Sequence, residues 1–392
     1  MMSAATDSQW IGLRLEALDT LFFRDGRSFD AAARVESGLP NPQTLAGALR
    51  TALLAREGFD LRGLREARPP GPEGIKRMLA ECGLGWIGEA RFRGPWLAIV
   101  PPDGVTPEPL LPTPQTLFRE KRSPDADAKW YRAEPREAGL PGWRGLEAGM
   151  LPLWFDGMPD NAEPAGGFLT LAGLRGFLDG RRPDAGTSWF PRSKLFDSDS
   201  RVGIVVDAET LTAVEGMIYA INLLALNPTL ESQDKTKTYR VCLCAEWLPG
   251  PKGPVDIRDR LNGPVPFGGE GRYVQVTPLS EKIDWPRCNS SAVRSMWYLA
   301  TPGIFGGANG ASCWRPDSVP PGRLRAAASA AGVGVSGWDL NRGGPRPTRF
   351  AVPAGAVYYV EGEVEPPDGS LCGDAEDVAQ GWGFALQGVW KS

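Results

Sequence analysis

IGLRLEALDTLFFRDGRSF (Ile11 to Phe29), followed by NPQTLAGALRTALLAREG (Asn41 to Gly58), is the stretch on which the fold turns. In its first part Ile11, Leu13, Leu15 and Ala17 alternate with Gly12, Arg14 and Glu16. A period of two sets one side on a core and the other in water, as in a half-buried strand. The second part changes period. Leu45, Ala48, Leu49, Ala52 and Leu53 recur at helical spacing and form one apolar stripe. Asn41 supplies an N-cap, Pro42 suits the first helical position, and Gly58 can end the helix. Arg50 lies about 140° round from Leu45, off the packed face. Between strand and helix, LFFRDGRSF (Leu21 to Phe29) reads as a loop.

Outward from this opening, a second periodic block begins at RVGIVVD (Arg201 to Asp207), where Val202, Ile204 and Val206 share a face. DAET (Asp207 to Thr210) reads as a turn. Strands are expected over 216–226, 238–247, 271–276, 295–300, 356–361 and 383–390, with a short helix over 322–331. Strand–helix–strand blocks thus occur twice, which predicts an α+β fold in two units, 1–200 and 201–392. No sequence repeat accompanies the duplication. Over 101–164 prolines recur, charges of both signs cluster, and Trp130, Trp143 and Trp154 appear. A structureless loop of that length is unusual inside a compact domain, so the segment reads as an inserted projection containing a β-hairpin.

Two units also suit a chain of 392 residues. Glycine (49) and proline (37) are well above average usage, which predicts many turns and argues against a helical bundle. No apolar run approaches the roughly 20 residues of a membrane span. The opening MMSAATDSQW lacks the basic end and apolar middle of a secretion signal. Cys82, Cys242, Cys244, Cys288, Cys313 and Cys372 form no C-x-x-C pair, so neither a zinc site nor a disulfide framework is expected. Cys242 and Cys244 read as two small side chains on one strand face. The expected setting is the reduced cytoplasm.

The most restrictive fact is that histidine is absent. Ser-His and Cys-His nucleophiles and His-ligated metals are thereby excluded, and chemistry would fall to carboxylates, lysine, tyrosine or a partner. No catalytic residue, metal site or cofactor is expected. A net charge of −4 runs against the usual basic footprint of nucleic-acid binding. The charge is nonetheless segregated. Arg323, Arg325, Arg342, Arg346 and Arg349 face a single acid, Asp339, between Pro321 and Phe350, whereas Glu361 to Asp377 holds seven acids and no base. Such segregation predicts one face for a polyanion and another for protein or water.

LDTLFFRDGRSF (Leu18 to Phe29) and PNPQTLAGALRTALL (Pro40 to Leu54) resemble the N-terminal signature of the third subunit of Cmr, in the RAMP superfamily. RVGIVVDAETLTAVEGMIYA (Arg201 to Ala220) resembles the middle signature, and FGGEGR (Phe267 to Arg272), SGWDL (Ser336 to Leu340) and PRPTRFAVPAGAVYYVEG (Pro345 to Gly362) the later ones. QGWGFALQGVW (Gln380 to Trp390) is similar to the glycine-rich C-terminal element of RAMP proteins. The six pieces run in family order from residue 18 to residue 390.

The resemblance implies two ferredoxin-like domains, related to RNA-recognition modules, with a β-hairpin thumb. It implies a non-catalytic subunit of a type III-B CRISPR effector complex that grips the 5′ handle of the CRISPR RNA. Its implied partners are the large polymerase/cyclase-like subunit, a backbone RAMP subunit and target RNA near the thumb. Single-stranded RNA offers phosphates, 2′-hydroxyls and unstacked bases. Gly268, Gly269 and Gly271 beside Arg272, and Gly381 and Gly383 among aromatics, would let backbone amides approach phosphates. The same glycines read equally as strand-linking turns. Arg24, Arg27, Arg50, Arg346 and Arg349 are the implied guanidinium contacts. Arg50 completes a Gly-x-x-Arg helix with Gly47. Lys194 and Arg192, next to Trp189 and Phe190, form a basic-aromatic mix suited to stacking.

GVGVSG (Gly332 to Gly337) satisfies a dinucleotide pattern literally, but an alanine-rich helix is expected before it and an Arg/Pro-rich loop follows, so a turn is expected. Asp197, Asp199 and Asp207 read as loop and turn residues rather than Mg²⁺ ligands. Two competing functions stand beside the leading one. An endoribonuclease maturing repeat RNA would need an acid–base pair without histidine, and a protein-only scaffold would make RNA contacts incidental.

Overall fold

In the computed structural model the described residues are 10–24, 34–102, 104–121, 129–137, 141–155, 157, 161–182, 188–231, 238–254, 257–287, 293–306 and 312–390. Along the chain, β1 (Ile11–Ala17) leads to a short β2 (Arg34–Glu36), helix α1 (Pro42–Arg56), β3 (Arg91–Val100) and β4 (Glu108–Pro112). A long pair, β5 (Phe196–Val206) and β6 (Ala213–Leu226), precedes β7 (Thr238–Leu248) and β8 (Tyr273–Pro278). Then come β9 (Arg294–Leu299), β10 (Leu324–Ala328), β11 (Val357–Glu361), helix α2 (Ala375–Gln380) and β12 (Ala385–Val389).

The opening stretch forms the predicted strand and helix. The Asn41 side chain accepts the Thr44 amide at 3.0 Å, Pro42 begins α1, and Gly58 follows its end at φ 73°. Leu13 and Leu15 of β1 are fully buried against Leu45, Leu49 and Leu53 of α1. Each such leucine contributes about 1.5–3 kcal/mol through apolar burial.

Around β1 the sheet runs β8-β1-β7-β3, all neighbours antiparallel. Hence β1 and β3 are parallel with β7 between them, and α1 makes the crossover. In order of appearance the four strands lie 4-1-3-2. Further strands extend this sheet on both flanks, β4 among them. The second sheet, β12-β9-β11-β10, repeats the 4-1-3-2 order, again with antiparallel neighbours. Its helix lies at the other crossover: α2 joins the third strand to the fourth, whereas α1 joins the first to the second.

Strand alternation then divides the core into layers. Leu97, Ile99, Leu243 and Ala245 pack under the α1 layer. Trp96, Ala98, Cys242 and Cys244, the intervening residues, meet Met296, Tyr298, Tyr359 and Leu386 from the second sheet. Trp297, Leu299, Tyr358 and Val360 face its far side, against Trp382 and Leu371. Trp96 and Tyr298 bury polar tips here, the indole donating to the Ala300 carbonyl at 2.9 Å and the phenol to that of Pro112 at 2.6 Å. Burial pushes the Cys242 thiol up to about 12. Cys82, Cys242, Cys244, Cys313 and Cys372 are free thiols, and Cys288 lies outside the described residues.

One expectation is corrected. The alanine-rich segment 322–331 forms strand β10, not a helix; Leu324 and Ala326 alternate into buried positions along β11, and tertiary pairing overrides helix propensity. Among the described residues of 101–164, β4 joins the first sheet, and Leu117 and Trp130 lie in the core between the sheets. The expected boundary at residue 200 falls within β5, and β7 and β8 beyond it complete the first sheet. The extended hairpin is β5–β6. Val202, Ile204 and Val206 do alternate there, but they are 72%, 50% and 49% exposed. Among the described residues, no helix is long and apolar enough to cross a membrane.

Candidate nucleic-acid interface

The foot of the β5–β6 hairpin gathers half of the residues expected to meet RNA. After β1 the chain turns through Leu18 to Arg24, and Leu21 exchanges backbone hydrogen bonds with Leu224 of β6, both at 2.8 Å. That fixes the loop against the hairpin, because Leu224 pairs with Ser198 near the start of β5. Phe23 stacks edge-on against Phe267 at 5.2 Å, and the Phe22 carbonyl accepts the Gly269 amide at 2.9 Å. Gly268 adopts φ 86°, where a Cβ would lie 2.4 Å from the Phe22 oxygen. Only glycine permits this close approach of two loops.

Charge organises the same foot. Arg272 donates to Asp19 at 2.5 Å, and Arg201 on β5 lies 3.9 Å from the same carboxylate while pairing with Asp199 at 2.7 Å. The backbone amide of Thr20, then Arg272 and Arg201, hold the Asp19 carboxyl below its ordinary value. Arg24 and Lys194 are exposed, as are Gly268, Gly269 and Gly271. Lys194 lies two residues before the start of β5, its carbonyl accepting the Asn227 side chain at 2.7 Å, and Arg192 lies over the Phe196 ring at 4.8 Å. Arg27 lies outside the described residues.

A second group of expected contacts meets elsewhere, inside the molecule. Arg50 does leave the apolar face of α1, but it reaches the Glu376 carboxylate and the Ala90 carbonyl, both at 2.9 Å. Lys76 lies 3.3 Å from Glu376, and Arg349 binds both oxygens of Asp377 at 2.8 Å. Burial raises the Glu376 carboxyl, but Arg50, Gln380 and Lys76 outweigh it and hold the group below its ordinary value. Asp377 goes the other way, raised by burial more than Arg349 lowers it. Gly381 and Gly383 are buried; a Cβ on the first would lie 2.6 Å from the Phe92 oxygen and on the second 2.5 Å from the Cys372 sulfur. Their glycines serve packing.

The charge segregation of the sequence therefore interlocks only in part, through Arg325 and Arg349 of the basic stretch. Arg294 and Arg325 meet Glu361, Arg91 meets Asp368, and Arg349 meets Asp377. Arg346 stays outside this network, on a ribbon described below. Asp199 is taken by Arg201, and Asp207 accepts the Glu209 and Thr210 amides, so neither is set out as a metal ligand. Sequence reasoning missed Asp19, Arg201 and the exposed apolar tip of the hairpin. A run of valine and isoleucine next to a turn was the available signal for the tip.

With this geometry in hand, the chain can be set beside known proteins. A family model for CRISPR-associated protein Cas_Cmr3 matches residues 13–390. The chain belongs to the Cas_Cmr3 family. The Cas_Cmr3 match runs from within β1 to beyond β12 and so takes in both sheets, the hairpin and its foot. The chain is also similar to a chain in the cryo-EM structure of the type III-B Cmr-beta bound to cognate target RNA and AMPPnP, state 1. Identity there is 15%, with TM-score 0.47, covering 89% of this chain and 86% of that one. A chain of the type III-B Cmr-beta bound to cognate target RNA gives 14% identity and TM-score 0.47 over the same shares. No curated protein matches.

Proposed function

We propose that this Cmr3-type subunit holds the 5′ handle of the CRISPR RNA at the foot of the β5–β6 hairpin, without catalysis of its own. It docks the large polymerase/cyclase-like subunit onto the backbone RAMP subunit of a type III-B Cmr complex. The carrying observation is the convergence of Arg24, Lys194, Arg272 and the exposed turn of Gly268, Gly269 and Gly271 around Leu224 at the start of the hairpin. Arginine beside an amide-rich glycine turn suits phosphates, and the exposed turn leaves room for unpaired nucleotides. The repeated 4-1-3-2 order supports two ferredoxin-like units. The thumb is the β5–β6 hairpin rather than 101–164. Its exposed part reaches roughly 30 Å at about 3.3 Å per residue, long enough to lie across a guide–target duplex.

Lys194→Glu in the assembled complex tests this reading, since Lys194 is exposed. Handle affinity should fall about tenfold or more, because a charge-assisted contact contributes about 1.5–3 kcal/mol. Arg50→Glu should disturb folding rather than handle binding, since its guanidinium is already engaged by Glu376 and Ala90. A protein-only scaffold would leave handle affinity unchanged in the Lys194 variant.

A further inference from the structure

The second unit sends out a narrow ribbon that no function above absorbs. Val333–Val335 pairs with Arg349–Ala351, and Trp338–Asp339 with Gly344–Pro345, closing on a turn over 340–343. One side of it is anchored. Gln43 at the start of α1 donates to the Ser336 carbonyl at 2.7 Å, Asn341 donates to the Leu64 carbonyl and accepts the Gly71 amide, and Arg349 clasps Asp377. The rest is bare. Trp338 is 63% exposed and Phe350 60%, with Val333 at 48% and Leu340 at 40%. Phe350 stands opposite Gly334, which has no side chain to cover it.

Two guanidiniums accompany these rings. Arg342 and Arg346 have no ion-pair partner among the described residues, in contrast to Arg349. The one acid of the ribbon, Asp339, turns its carboxylate inward to the Asn341 and Arg342 amides. A ligand for this surface must bring flat π faces to Trp338 and Phe350 and negative charge to Arg342 and Arg346. Unpaired bases on a phosphate backbone have both, spaced along one strand. A duplex hides its base faces in its own stack and meets only half of the requirement. From the residue opposite Phe350 to Trp338 is four residues, about 13 Å of strand, so the two rings are separate platforms.

We infer that the 333–351 ribbon is a second single-stranded RNA contact, in which Trp338 and Phe350 stack bases and Arg342 and Arg346 take the neighbouring phosphates. The inference rests on the RNA-holding role proposed above and adds a binding surface that shares no residue with the hairpin foot. Binding of a short fluorescein-labelled single-stranded RNA to the full chain tests it, read by anisotropy across a salt series. Trp338→Ala and Phe350→Ala remove exposed rings and leave the three cores intact, and each should weaken binding about tenfold. Arg342→Ala and Arg346→Ala should each lower the salt slope by about 0.7. Lys194→Glu, measured alongside, separates the two sites. Loss of affinity in the Lys194 variant with none in the ring variants overturns the ribbon while leaving the hairpin foot standing. Wild-type chain that binds no single-stranded RNA overturns both. Ring variants that bind RNA normally but fail to enter the Cmr complex would make the ribbon a protein contact and overturn the inference.

Discussion

Arg50 and Arg24 are both arginines in the N-terminal signature, yet one is half-buried against Glu376 and the other stands exposed at the hairpin foot. Nothing in the local sequence separates them, because Glu376 lies 326 residues from Arg50. The Arg349–Asp377 pair, 28 residues apart, and the approach of Gly381 to Phe92 are likewise invisible to local patterns. The N-cap of α1 and the turn at Asp207 were readable because each depends on neighbours within a few positions. The Glu376 cluster carries a definite pH dependence. Its carboxyl is held below the ordinary value, so its contribution is complete above the unfolded carboxylate value of about 4.3 and is lost as pH falls through the depressed folded value. Glu376→Gln should cost about 1.5–3 kcal/mol in urea unfolding at pH 7. The deficit relative to wild type should shrink as the buffer is taken below pH 4.

At the scale of elements, apolar patterning predicted β1, α1, β7, β9 and β11 because each packs on a core, β7, β9 and β11 with both faces. It also marked β5, without saying what its apolar residues meet. Alternation reports that one face is apolar but not what that face meets, and on β5 it meets solvent. Alanine-rich β10 was misread, its helix propensity yielding to a place on the flank of β11. Exposed apolar residues on a hairpin contribute little to folding, so the tip should be removable at small cost. Replacing Val202, Ile204, Val206 and Leu211 by serine should alter stability by less than about 0.5 kcal/mol each. Association of the assembled complex with target RNA should weaken in the same variant. A large drop in thermal stability would show instead that the tip packs within this chain.

For the molecule as a whole, two sheets of one strand order pack face to face through Trp96, Cys244, Tyr298 and Tyr359, and the Arg50–Glu376 and Arg349–Asp377 pairs join α1, α2 and the ribbon. Such a body is stiff where the sheets meet and open where β5–β6 leaves it, which suits a subunit that holds one strand of RNA while other chains act on it. The α+β character was visible in the sequence, but the first sheet recruits β7 and β8 from beyond the hairpin, so chain order and spatial order part company there. The most direct test of the handle-holding role is a photo-crosslinking map of the reconstituted Cmr complex, with a photoreactive nucleotide placed in the 5′ handle of the guide. Crosslinks should fall on 18–24, 194–201 and 267–273 of this chain. A handle that crosslinks only to neighbouring subunits, with this chain present and correctly assembled, would contradict the account.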